Sequence, residues 1–271
     1  WLGRIEVLSL RFTLASKGEA RLPRFLGSTI RGGLARATRN VACALRKEAC
    51  DRCLLRFRCA YSLLFETPRP VGLEQLRGQS KLPHPIVIDP PEEVSTFEPG
   101  EELSFGVSLF GRAAEHLPHL ILAAQEAASR GLGRDRHPFE LRRVEQLSFD
   151  SKVQRVLYES GDVVDEVDEL PSEPLSILFE QNDVPRVPAT LQFRTPARLV
   201  VKGALTKSPT LPDVVRSLSL RALAMLRVDG GHEVDLDIAS LNELAEQARV
   251  ACSSLELERL DRYSTRQRRP V

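Results

Sequence analysis

Apolar Leu8, Leu10, Phe12 and Leu14 alternate with polar Ser9, Arg11 and Thr13, so residues 5–14 are predicted as a β-strand with one face buried. From Phe25 to Arg46 the period changes. Leu26, Ile30, Leu34, Ala37, Val41 and Leu45 recur at three- and four-residue steps, which predicts a helix with one apolar stripe. Gly32 and Gly33 sit inside that pattern at a cost of roughly 1 kcal/mol each against alanine, so a close packing approach or a ligand contact is expected there. His84–Asp89 is a short apolar run bounded by prolines and is predicted as a strand. Leu103, Phe105, Val107 and Leu109 alternate and predict another. Leu117–Arg130 has a helical pattern, with Pro118 in its first turn and Gly131 at its stop. Phe139–Leu147 is predicted as a further strand.

The predicted order is strand, helix, strand, strand, helix, strand. That order belongs to the split βαβ, ferredoxin-like (RRM-like) unit of the α+β class, an antiparallel sheet with two helices on one face. We place this N-terminal domain at residues 1–160, with a cysteine-cluster insertion at about 43–59. Residues 161–188 are acidic and proline-containing and are read as a linker or excursion. Residues 189–271 begin a second strand–helix sequence. It comprises strand candidates at Leu191, Phe193 and Leu199–Val201, a helix from Pro212 with the stripe Val215, Leu218, Ala222 and Met225, and a Ser240/Glu243 capping box for a helix through about Val250. Leu255–Arg262 is a last strand candidate. The fold expected is therefore two tandem ferredoxin-like domains, the second incomplete in this chain, which also opens on Trp1 rather than a methionine.

Composition alters this picture in one region. The 271 residues carry a net charge of +1 and are 42% hydrophobic and 28% charged, which suits a globular protein. Between Arg21 and Arg58, nine Arg and one Lys stand against Glu48 and Asp51, ten minus two, a local balance of +8. Such a concentration is the footprint of a polyanion-binding surface. At 100° per residue Arg31, Arg39 and Arg46 fall within about a quarter turn, away from the apolar stripe. Taken alone, such a face is more often simply solvated. Two other basic sites raise its weight: the glycine-rich turn Gly131–Arg136 with Arg134 and Arg136, and the stretch Arg262–Gln267. No apolar run is long enough to span a bilayer and no signal peptide is visible, so the expected location is cytoplasmic, with no membrane partner.

Four of the five cysteines, Cys43, Cys50, Cys53 and Cys59, fall within seventeen residues. Four thiolates, two of them in a C-x₂-C pair, suit a closed structural zinc site, ahead of an iron–sulfur cluster; free buried thiols or a disulfide are the plain alternatives. Cys252 is expected to be a core thiol. Of the five histidines, His232 follows Gly230-Gly231 and can project from a turn. There is no P-loop, no His-Glu-x-x-His and no nucleophile-elbow serine, which lowers the odds of nucleotide hydrolysis, metalloprotease or serine-hydrolase chemistry.

Leu26–Arg39 with the cysteines and Tyr61-Ser-Leu-Leu-Phe-Glu66 resembles the N-terminal motif of the CRISPR repeat-processing endoribonucleases of the RAMP superfamily, cysteine-motif subgroup. Three further stretches fit in order: Gly131–Val144, Phe193–Leu199 and Arg262–Gln267. The resemblance implies tandem ferredoxin-like domains, binding of CRISPR repeat RNA and a single cut in the precursor CRISPR RNA, with no catalytic metal. The ribose 2′-hydroxyl would attack the adjacent phosphate and leave a 2′,3′-cyclic phosphate. On that reading Arg24, Arg31 and Arg39 grip phosphates, with Arg134 and Arg136 on the glycine turn and Arg262 and Arg266 near the cut. His232 is the candidate acid or base, and Tyr263 stands in reserve. The helix predicted between Phe25 and Lys47 carries no histidine. Other readings are a non-catalytic RAMP subunit holding guide RNA in a CRISPR effector complex, and a zinc-stabilised protein-interaction module.

Overall fold

Strand β1 runs over Glu6–Ser16, where alternation puts Leu8, Leu10, Phe12 and Leu14 on the buried side. In this computed structural model the described residues are 2–46, 48–70, 82–91, 96–163, 170–178, 190–201, 203–230, 236–256, 263–264 and 269–270. The chain divides into two units, Trp1–Phe179 and Glu180–Val271.

In the first unit β1 is followed by helix α1 (Gly27–Ala42), β2 (Ile86–Asp89), β3 (Glu102–Phe110), helix α2 (Leu117–Arg130), β4 (Phe139–Leu147) and β5 (Val153–Glu159). The sheet order is β2–β3–β1–β4–β5, and every pairing is antiparallel. Two-residue strands extend it: Asp162–Val163 pairs with β5, and Glu173–Pro174 pairs with the start of β1. The fold is α+β.

Phe12 pairs with Phe105 on one side of β1 and with Val144 on the other. The Phe12 and Phe105 rings stack at 5.5 Å. Ile30 and Leu34 of α1, and Leu117, Leu120, Ile121, Ala124 and Ala128 of α2, share one core with these strands. Burying each large apolar side chain contributes about 1.5–3 kcal/mol, and this shared core holds the helices to the sheet.

Helix α1 stops at Ala42, four residues short of the predicted end. The Cys43 amide still donates to the Arg39 carbonyl, but its own backbone is extended. The stripe explains the early stop. Leu26, Ile30, Leu34 and Ala37 are buried, whereas Val41 and Leu45 are 37% and 38% exposed, so further helix would bury little. The two helix glycines also separate. Gly32 faces open space, while a Cβ on Gly33 would lie 3.6 Å from Leu132 and 3.8 Å from Ala127. Gly33 is therefore where α1 comes close to α2 and the turn after it.

The second unit holds the pair Val200–Val201 and Ala204–Leu205, helix α3 (Leu211–Gly230), helix α4 (Ile238–Glu246) and the pair Tyr263–Ser264 and Arg269–Pro270. Among its described residues these two pairs are the only strands. Thr210 and Asp213 cap α3 reciprocally: the Thr210 amide donates to Asp213 and the Asp213 amide to the Thr210 hydroxyl. Helix α4 is capped by Asp237, which accepts from the Ser240 amide at 3.0 Å, so the capping residue is Asp237 and not Ser240. The buried face of α3 is Val214, Leu223, Ala224 and Leu226, while Leu218 is 60% exposed. The predicted stripe was thus rotated by about one residue. Leu191 and Phe193 lie outside any strand, and Cys252 is exposed rather than in a core. Of the expected strand at Leu255–Arg262, Leu255 and Glu256 have no regular structure and the rest lies outside the described residues.

Candidate nucleic-acid interface

Arg24, Arg31 and Arg39 are all exposed, on α1 or just before it. Arg31 and Arg39 lie eight positions apart, which is about 12 Å along a helix axis. Each guanidinium rests over an aromatic ring of the segment that follows the cysteine loop. Arg31 sits 5.9 Å from the centre of Phe65, and Arg39 sits 5.7 Å from that of Tyr61. The ring face attracts the cation and restricts a side chain that would otherwise sample many rotamers. Two planar guanidinium groups are thereby held on one exposed helix face, an arrangement that suits oxyanions.

The rings are held by a short π-helical turn, Ser62–Glu66, closed by the Thr67 amide on the Ser62 carbonyl at 2.7 Å. The wide turn brings Tyr61 and Phe65 into stacking at 6.0 Å. It also places Glu66 under the Tyr61 hydroxyl, which donates to its carboxylate at 2.9 Å. Burial first, and the Glu66 hydrogen bond second, push the Tyr61 phenol up to about 12. The turn ends on Thr67, a left-handed residue at φ 48° whose hydroxyl bonds to His84 at 2.8 Å.

The glycine turn lies beside α1. Leu132 and His137 exchange both backbone hydrogen bonds, at 2.8 and 3.0 Å, and Arg134, Asp135 and Arg136 are exposed at the tip. Gly131 at φ 91° and Gly133 at φ 76° take conformations that favour glycine. Leu132 packs near Gly33, and Gly133 lies near Leu22, just before α1. Two basic elements far apart in sequence thus meet through small residues. Near them Asn40 donates to Glu126 of α2, which also pairs with Arg130 at 2.8 Å.

The four clustered cysteines are half-buried free thiols. Cys43 follows α1, and Cys59 opens the helical turn, its carbonyl accepting from the Leu63 amide at 2.9 Å. Burial raises the Cys50 thiol, the Arg39 charge opposes that rise, and Glu66, Cys43 and Cys59 add to it. Among the described residues no group of three or more His, Cys, Asp or Glu is set out as a metal site. The thiol donors suit zinc by their chemistry. His232, Arg262 and Arg266 lie outside the described residues, and Tyr263 lies in the short strand noted above.

The face of the sheet away from the core has a different character. Arg11 pairs with the buried Glu145 at 2.8 Å, Arg143 with Glu159 at 2.7 Å, and Thr13 with Ser104 at 3.0 Å. Arg11 and Arg143 there are already matched to carboxylates. The surplus of positive charge lies with α1 and the loops around it. Among the described residues no helix is long and apolar enough to cross a membrane.

Sequence reasoning had singled out Arg31, Arg39 and the 61–66 segment but not their mutual contacts. The partnership of Glu66 with Tyr61 was missed as well. Aromatic residues four apart with an acid next in line were the available signal.

An antiparallel α+β unit with a basic helix mounted on aromatic rings is the class that fold and site define. The chain belongs to the family described as AF_1859_N, an N-terminal domain, whose model matches residues 5–172. No curated protein matches the sequence. Among solved structures, 13 chains match. One belongs to the Csm3–Csm4 subcomplex of the type III-A CRISPR–Cas interference complex, with 15% identity, coverage of 65% of this chain and 94% of that chain, and a TM-score of 0.34. Likeness at that level leaves the functional reading to the residues themselves.

Proposed function

We propose that this protein is an RNA-binding protein of the RAMP type that grips CRISPR repeat RNA on the α1 side of its first unit and cuts the precursor once, without a catalytic metal. The observation that carries this is the pair Arg31 and Arg39, fixed over Phe65 and Tyr61 on an exposed helix face. The nearby Arg134 and Arg136 of the glycine turn support it, as does the resemblance of these same segments to repeat-processing endoribonucleases. The sheet order, with the first strand between the third and fourth of a strand–helix–strand–strand–helix–strand chain, supports a ferredoxin-like first unit. The second unit is proposed as another of the kind. A cytoplasmic location belongs to the same reading.

The chemistry would be attack of a ribose 2′-hydroxyl on the adjacent phosphate. It needs a base on that oxygen, an acid on the departing 5′-oxygen and cations on the phosphorane. His232 is the proposed acid or base, with Tyr263 in reserve, and Arg262 and Arg266 are the proposed cations near the cut. Zinc on Cys43, Cys50, Cys53 and Cys59 is proposed as a structural clip. Elemental analysis of protein purified without chelator should find it, and a preparation with neither zinc nor iron would reject the clip.

The deciding experiment incubates the full-length protein with its cognate repeat RNA in EDTA and maps the product ends. A cyclic phosphate at one position supports the nuclease. Tight, salt-sensitive binding without cleavage would instead make the chain a guide-holding subunit of an effector complex. Absence of RNA affinity at low salt would overturn both and leave a protein-interaction module.

A further inference from the structure

The cysteine loop lies in the chain between the two partners of one contact of the RNA grip. Arg39 stands one helical turn before Cys43, whose amide donates to the Arg39 carbonyl at 3.0 Å. Tyr61 stands two residues after Cys59, whose carbonyl accepts from the Leu63 amide at 2.9 Å. The Arg39 guanidinium rests over the Tyr61 ring at 5.7 Å. Residues 43–59 therefore leave from one side of that contact and return to the other.

Packing does little to hold this loop. Among its described residues none is buried, and Leu45, Leu54 and Leu55 are exposed. Its internal backbone hydrogen bonds, from Glu48 to Leu45, Arg52 to Ala49, Arg56 to Cys53 and Arg58 to Leu55, each span only three residues. Burial of apolar surface therefore offsets little of the entropy of ordering it. The half-buried side chains are the four thiols, Arg56 and Phe57. Cys50 lies where the charges of Arg39, Glu66, Cys43 and Cys59 all reach it. The aromatic turn that follows is anchored unevenly. Leu64 and Phe65 belong to the core with Ile30 and Leu34, whereas Tyr61 is only partly buried at its margin. The core thus fixes the ring under Arg31, and the ring under Arg39 depends more on the loop.

We infer that Cys43 and Cys59 are positioning residues of the RNA grip: holding one zinc ion with Cys50 and Cys53, they tie the end of α1 to the start of the aromatic turn, so that zinc and RNA bind with positive coupling through Arg39. This rests on the RNA-binding and zinc readings above and deepens both. With Cys43 and Cys59 tied, the Arg39–Tyr61 contact is ordered before RNA arrives, and less ordering entropy opposes binding. Linkage makes the effect reciprocal, so RNA tightens zinc binding by the same factor. Arg31 stands outside the coupling, because Phe65 is held by the core.

The test uses full-length, reduced, chelator-stripped protein. Zn²⁺ is titrated with and without repeat RNA, and RNA affinity is measured with and without Zn²⁺. Zinc should tighten RNA binding about tenfold, inside the roughly 5–150-fold range of such couplings, and RNA should tighten zinc binding equally. Cys59→Ser should lose the coupling, and Cys59→His, which keeps an ion ligand, should restore it. In RNA affinity, Cys59→Ser should combine less than additively with Arg39→Ala and additively with Arg31→Ala. A loop that only stabilised the unit would treat the two arginines alike, and that result would overturn the inference. Zinc binding that leaves RNA affinity unchanged would also overturn it, with both earlier readings standing. Absence of zinc binding would overturn it together with the zinc clip. Zinc-loaded protein without RNA affinity at low salt would overturn it together with the RNA-binding reading.

Discussion

Replacing Gly131 with alanine tests whether the glycine turn is built as described. Gly131 sits at φ 91° and ψ 145°, outside the regions open to L-residues, and alanine there costs about 1–3 kcal/mol. An added Cβ would also lie 2.2 Å from the Arg136 carbonyl oxygen and 2.3 Å from its carbon. Those are backbone atoms, so the clash is relieved only by prying apart the Leu132–His137 bridge. Its two hydrogen bonds are worth roughly 0.5–1.5 kcal/mol each. Against this, alanine removes about 0.4–1 kcal/mol of unfolded-chain entropy. The net loss should be about 3 kcal/mol. With a urea m-value of about 2 kcal/mol/M, the midpoint should fall by about 1.5 M. Circular dichroism during urea titration measures it. Gly32→Ala is the control: no atom lies within 4 Å of its Cβ position, and that helix position should gain about 0.5–1 kcal/mol. A Gly131→Ala protein within about 0.5 kcal/mol of wild type would refute the turn geometry.

Arg39→Ala should weaken RNA binding and flatten the plot of log affinity against log salt by about 0.7–0.9, one phosphate contact. Arg39→Lys should keep more of the slope than of the affinity, and an unchanged Arg39→Ala slope would remove Arg39 from the interface. Leu34→Ala, at a site 2% exposed, should cost about 2–5 kcal/mol in thermal or urea unfolding. Leu54→Ala, at 90% exposure, should stay within about 0.5 kcal/mol, and equal effects would contradict the assigned core. Hydrogen bonds from Ser240 hold the Asp237 carboxyl below its ordinary value. Because the folded value is depressed, the cap's contribution is present above the unfolded carboxylate range and fades as pH falls through the folded value. Amide exchange over 238–246 should quicken on acidification, and Asp237→Ala should abolish that dependence.

Much of the first unit was legible because its elements follow simple periods. Helix Leu117–Arg130 and strand Phe139–Leu147 end where the pattern, the Pro118 start and the Gly131 stop place them. The second unit was less legible. In α3 several registers of the apolar stripe compete, and Leu218 was assigned to a face it does not occupy. At α4 both Asp237 and Ser240 have capping chemistry, and only the chain's path decides which one caps.

The sequence by itself determined the order of the first unit's elements from the first strand to Phe139–Leu147, though not the strand Val153–Glu159 that follows, together with the surplus of positive charge at 21–58 and the clustering of four thiols. These are local properties, set by residue type and spacing. Tertiary structure alone decided that α1 ends at Ala42, that Gly33 receives Leu132, and that Arg31 and Arg39 rest on Phe65 and Tyr61. Those outcomes depend on which surfaces find partners, and the partners lie about twenty to a hundred residues away. A helix face of arginines is only charge until a fixed ring beneath each one limits its rotamers and gives the charge a direction.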